Sequence, residues 1–165
     1  MPQYAANTEV SSYKSREEIE RTLAKYGAQE FAYGTTQGKA LIGFTLRDRQ
    51  IRFVLQLPDR HSQEFTLTPA KRFKRTVEEA DKAYEQAVRA HWRSLKIVIL
   101  AKLEAVERGI VTFEQEFGMH MVLPGGVSVA EMITPAIERA YDEGGPEPLL
   151  TVLGAGYRAL PRGSA

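Results

Sequence analysis

The chain has 165 residues, 43% hydrophobic and 26% charged, which suits one soluble globular domain with a sizeable core. It contains no cysteine, which excludes a disulfide scaffold, thiolate zinc sites and cysteine nucleophiles. The formal net charge of +1 hides a segregation: residues 47–75 carry eight basic groups against three acidic ones, and residues 76–165 carry nine against thirteen. The longest apolar run, Ile97–Ala101, is far too short to span a bilayer, and the polar stretch MPQYAANTEVSSYKS has no apolar core of a secretory signal. A cytoplasmic protein with no membrane partner is expected.

Residues 1–14 read as a flexible N-terminus, 15–145 as a single α+β domain, and 146–165 as a Gly/Pro-punctuated tail with disordered last residues. Four helix starts carry Ser/Thr followed three residues later by Glu/Gln: Ser15…Glu18, Thr76…Glu79, Thr112…Gln115 and Ser128…Glu131. The first predicts a helix over Arg16–Tyr26, with Ile19, Leu23 and Tyr26 on one face and Gly27 as its left-handed stop. Glu30–Thr35, Ala40–Arg47 and Gln50–Leu57 then alternate as strands of an antiparallel meander. Ile42, Phe44 and Leu46 share a face with Ile51, Phe53, Leu55 and Leu57. The opposite face collects Ala32, Gly34, Gly43, Thr45, Arg47, Arg52, Val54 and Gln56.

Residues 58–75 read as a long basic loop. From Thr76 to Glu107 one long helix is expected, with Tyr84, Ala87, Val88, His91, Leu95, Val98, Ile99, Leu103 and Val106 as its core stripe. Trp92 is offset from that stripe and is assigned to a second layer. The segment LKIVIL is apolar almost all round, which predicts cover on more than one side. After Gly109, TFEQEFGMHMVLPGG gives a short helix and an apolar piece closed by a Pro-Gly-Gly turn. SVAEMITPAIERAYDEGG gives another helix, which Pro135 restarts or kinks. The fold class is therefore α+β: a three- to four-stranded antiparallel sheet packed against a long helix, with an N-terminal helix and short C-terminal helices.

Catalytic patterns are sparse. No HExxH pair and no Gly-Lys-Ser/Thr occurs, and His91 fits a core histidine better than a ligand. Gly125-Gly126 reads as a tight turn rather than a phosphate cradle. Glu114 and Glu116 could hold a nuclease metal, but no other acid joins them in sequence and a solvated helix face explains them. No enzyme activity, cofactor or metal is expected.

The basic middle carries more. Arg47, Arg49, Arg52, Lys71, Arg72, Lys74 and Arg75 could neutralise phosphates, with Tyr33 or Phe73 as a stacking surface. Arg89, Arg93 and Lys96 add a cationic strip on the long helix. The blander alternative is a set of solvated cations that face the acidic half of the same molecule or pair locally, as Glu85 and Arg89 would.

KSREEIERTLAKYGAQEFAYG, RQIRFVLQLPD, AYEQAVRAHWRSLKIVILAKLEAVERGIVTFEQEF and MVLPGGVSVAEMITPAIERAY carry a family likeness. Together they resemble a family of small uncharacterised proteins encoded by tailed bacteriophages and prophages. The resemblance implies a viral gene product working in the cytoplasm of a host bacterium and brings no residue roles. A weaker likeness of architecture is to single-strand annealing proteins, which hold DNA in a basic groove between sheet and helix. The leading expectation is sequence-independent binding of single-stranded nucleic acid. The alternative is an accessory protein that binds and modulates a host protein through the long helix or the open sheet face. Exposed sheet edges also predict a homo-oligomer, with Met121–Leu123 covering one edge.

Overall fold

The computed structural model describes residues 3–36, 38–70 and 73–144, with side chains from Tyr13 onward. The expected tail 146–165 and the site candidates Lys71 and Arg72 lie outside the described residues. The elements are α1 (Gln3–Lys25), β1 (Gln29–Thr36), β2 (Lys39–Leu46), β3 (Arg49–Gln56), α2 (Gln63–Thr66), α3 (Val77–Glu107), α4 (Phe113–Phe117), a 3₁₀ turn (Gly118–His120) and α5 (Val129–Gly144). The α+β class and the antiparallel order β1-β2-β3 are as expected. The chain divides into two units, 1–129 and 130–165. Most of α5 belongs to the second, where Ile133, Ile137 and Tyr141 share one helical face and the helix continues through Pro135.

α1 begins well before Ser15, so this serine is a buried helix residue rather than a cap. Its other end follows the expectation closely. The Ala28 N–H donates to the Leu23 carbonyl and the Gly27 N–H to that of Ala24, with Gly27 at φ 87°. This is the paired bonding of a Schellman stop, which glycine enters without Cβ strain. Gly109 ends α3 in the same way, with Ile110 bonded to Ala105 and Gly109 to Val106.

In the sheet, Ile42 pairs with Tyr33 and Phe53, and Gly43 pairs with Arg52. Ala40, Ile42, Phe44, Leu46, Ile51 and Phe53 are buried together with Ile19 and Leu23 of α1 and with the inner stripe of α3. Each edge is handled differently. β1 carries a bulge between Gln29 and Ala32, with Glu30 at φ 54°, a device that disrupts an open edge. The β3 edge meets the apolar piece as expected: Met121 bridges Ile51, and the Val122 N–H donates to the Gln50 carbonyl at 2.8 Å. The possible fourth strand is thus a single bridge.

Both halves of the Thr76/Glu79 capping box form at the start of α3. The buried positions of α3 are Val88, Trp92, Leu95, Ile99 and Leu103, with Tyr84 and Val106 partly buried. The expected stripe holds at those positions except Trp92, and is corrected at Trp92, His91 and Val98. Trp92 is core, whereas His91 is exposed, with Nδ1 2.8 Å from the Ala87 carbonyl oxygen. The LKIVIL segment is covered on one side only, since Ile97, Val98 and Leu100 are exposed. The long loop is also shorter than expected: α2 and a bridge between Leu67 and Lys74 give it regular structure.

A row of rings crosses the inner sheet face. Phe31, Phe44 and Phe53 lie 6.4 and 6.3 Å apart, Phe53 meets Phe117 edge-on at 6.4 Å, and Phe117 meets Phe113 at 5.1 Å. His120 stacks on Phe53 at 4.1 Å. Burial pushes its imidazole below the ordinary histidine range, and the Lys102 ammonium pushes the same way.

Trp92→Ala should destabilise the fold by about 3–5 kcal/mol, and His91→Ala by less than about 0.5 kcal/mol, in urea denaturation. Equal losses would contradict the assignment of the α3 faces. His120 supplies a pH signature. Its folded pKa lies below the unfolded value of about 6.5, so the unfolded chain takes up its proton first as pH falls. Stability is full above that value and declines below it, towards the depressed folded pKa. His120→Gln should flatten the decline in denaturation midpoint over this window; an unaltered decline would exclude His120 as its source.

Candidate nucleic-acid interface

The basic loop is built outward from one buried ring. Phe65 of α2 is buried and meets Tyr84 of α3 edge-on at 5.5 Å. Beyond it the chain doubles back as a narrow hairpin. The Arg75 N–H donates to the Thr66 carbonyl and the Thr68 N–H to the Phe73 carbonyl, both at 2.9 Å. Arg75 turns its guanidinium inward, donating to the carbonyls of Glu64 and Phe65 at 3.1 and 3.3 Å. These are carbonyls at the end of a one-turn helix that its own backbone does not satisfy. Arg60 is engaged as well, 2.7 Å from Asp81 and stacked over Tyr84 at 5.1 Å.

What remains outward is short and specific. Phe73 is 71% exposed on the returning arm of the hairpin. Lys74 beside it is exposed, and its ammonium has no ion-pair partner among the described residues. Behind them lies a cleft of about 720 Å³ lined by Arg60, His61, Thr66, Leu67, Lys74, Arg75, Val77, Ala80 and Asp81. Arg60 and His61 were not among the sequence candidates. The signal available for them is Asp59, whose carboxylate accepts the His61 N–H at 2.9 Å and turns the chain into the cleft.

The remaining candidates do not converge on this place or on one another. Arg52 lies on the outer sheet face, where it donates to the Gly126 carbonyl at 3.1 Å and ties down the tight Gly125-Gly126 turn. It lines a shallow hollow of about 510 Å³ with Ala32, Gly34, Leu41, Gly43 and Thr45. Arg47, expected beside it, belongs to a different cavity with Lys25, Tyr26, Glu107 and Phe113, and its guanidinium stacks over Phe113 at 5.2 Å. The cause is local. Arg47 and Asp48 both have positive φ, 51° and 59°, in a two-residue hairpin turn, so strand alternation stops before Arg47. Arg49 is exposed and donates to the Asp48 carbonyl.

Tyr33 is half-buried and engaged by its own chain, with the Arg16 guanidinium over its ring at 5.8 Å. Its partner Ile42 places it on the inner face, its hydroxyl donates to the Arg16 carbonyl at 3.1 Å, and burial with nearby Glu20 pushes its phenol up to about 12. The cationic strip on α3 is mostly neutralised. Arg89 pairs with Glu85 at 3.9 Å, and Lys96 with Glu18 of α1 at 3.0 Å, holding that carboxylate below its usual range. Arg93 is exposed with no ion pair among the described residues. Glu116 is held by Lys102 at 2.9 Å while Glu114 is exposed, and no cluster of metal-ligating side chains forms among the described residues. No helix among the described residues is long and apolar enough to cross a membrane.

No family model, no curated protein and no solved structure matches the chain, so the chemistry of the hairpin and its cleft must carry the functional reading.

Proposed function

We propose that the protein binds single-stranded nucleic acid without sequence preference, as a phage-encoded accessory factor in the host cytoplasm, and that the 66–75 hairpin is the point of contact. The observation that carries this reading is Phe73. A ring 71% exposed, on a hairpin arm held by backbone bonds, beside exposed Lys74 and with Lys71 and Arg72 just before it in sequence, is a stacking platform next to a cation. Every base has a π-face, so stacking on Phe73 tolerates any sequence and is worth about 1–3 kcal/mol per base. The lysine ammonium neutralises a neighbouring phosphate as a mobile point charge. Binding of this kind requires no catalytic group.

A second reading, an accessory protein that docks on a host protein without touching nucleic acid, is supported by the outer sheet face. Ala32, Gly34 and Gly43 leave room there for close approach, and Val54 is exposed.

Fluorescence anisotropy with labelled oligo-dT at two salt concentrations separates them. On the nucleic-acid reading, affinity falls steeply with salt. Lys74→Ala should weaken binding and reduce the salt slope by about 0.7, the value of one phosphate contact on a single strand. Phe73→Ala should cost about 1–3 kcal/mol with the slope unchanged. Absence of binding at low salt would remove this reading and favour the host-protein one.

A further inference from the structure

α3 has a second apolar face that is exposed among the described residues. Ile97 is 66% exposed and Val98 46%, in a helix whose other side is core. Exposed Ala90, Ser94 and Ala101 and half-exposed Ala105 extend that face to either side. The spacing 90, 94, 97–98, 101, 105 is symmetric about the midpoint between Ile97 and Val98. Reversing the helix about that point brings Ala90 level with Ala105, Ser94 with Ala101 and Ile97 with Val98. Small residues face small ones, and the two large ones meet at the centre.

We propose that this face is a self-association surface on which a second copy packs its own α3 antiparallel, about a two-fold axis between Ile97 and Val98. A two-fold interface requires one patch to be complementary to itself, and this stripe is. The small residues at both ends let the helix axes approach to about 8 Å over a contact about 22 Å long. Charge fits the same occupant. Arg93 lies on one flank of the stripe and Glu104 on the same flank beyond the centre. The two-fold brings each Arg93, which has no ion pair among the described residues, near the Glu104 of the other copy. A parallel two-fold partner would leave the two Arg93–Glu104 flanks on opposite sides of the seam, where they do not meet. Glu104 already accepts Arg108 at 2.9 Å on one oxygen and the Tyr26 hydroxyl at 3.4 Å on the other, and each carboxylate oxygen has a second lone pair for a further cation.

The test is the mass of the full chain by sedimentation velocity across a wide concentration range. The wild type should be a dimer, and Ile97→Glu a monomer with the same circular dichroism. Arg93→Glu or Glu104→Arg alone should weaken dimerisation by about tenfold in Kd, and the two together should recover it. The charge pair decides the matter even if Ile97→Glu misfolds. A monomeric wild type, a dimer that survives Ile97→Glu (as one paired through the β1 edge would), or a double charge reversal that recovers nothing overturns the proposal.

Discussion

The row of rings from Phe31 to Phe113 is the contact on which the remaining structure rests. A three-stranded sheet is not independently stable unless one face is packed, and here β1, β2, β3 and α4 each contribute rings to one continuous apolar seam. Because the rings from Phe31 through Phe117 come from four different elements, the seam ties elements distant in sequence as well as burying area. It also sets the chain path after α3. Phe113 and Phe117 must come back under the sheet, which brings the 3₁₀ turn and His120 onto Phe53 and delivers Met121 to the β3 edge. Arg47 closes one end by stacking on Phe113, so a cation conspicuous in the sequence is used to finish the core.

The same logic explains why so little of the basic segment's charge is available outside. Arginine carries five donors on a planar fork and is well suited to carbonyls, carboxylates and ring faces. Arg52, Arg60 and Arg75 are used on Gly126, on Asp81 and Tyr84, and on the Glu64 and Phe65 carbonyls. Lysines in the same segment lack that geometry, and Lys74 remains in solvent. The charge segregation between residues 47–75 and the rest is therefore largely resolved inside the fold. Its outward remainder among the described residues is Arg49 at the start of β3 and Lys74 beside Phe73.

Local codes were legible in the sequence, and facing was not. The Thr76 and Thr112 capping boxes, the glycine stops at Gly27 and Gly109 and the inner-face alternation of β2 and β3 depend on neighbours within a few residues, and they form as read. Ser15 shows the limit. The same signature lies inside a longer helix, because nothing local forbids helix before it. The α3 error is of another kind. Val88, Leu95, Ile99 and Leu103 were legible, but on a helix apolar over so wide an arc the edge of the buried face was not, so Trp92 could not be chosen over His91 and Val98 without the sheet that selects between them. Arg47 was misplaced through strand phase, because a positive-φ turn removed it from the face that carries Arg52. The convergence of Arg60, His61 and Lys74 on one cleft depends on a hairpin closure that sequence spacing does not encode.

Hairpin and apolar stripe are carried by one helix, and their separation along it has a consequence for binding. The hairpin joins α3 at Thr76 and the stripe centres between Ile97 and Val98, about 32 Å further along at 1.5 Å per residue. An antiparallel pair of α3 helices would therefore hold its two hairpins about 65 Å apart, at opposite ends of a rigid rod. A strand too short to reach both would occupy one hairpin at a time, with the affinity of one stacked ring and a few phosphates. A strand long enough to span them would bind the second intramolecularly, and its affinity would rise with no new contact. Dependence on strand length beyond a threshold would thus report the dimer and the hairpin together. Disrupting the α3 pair should abolish the threshold and leave the short-strand affinity as it was.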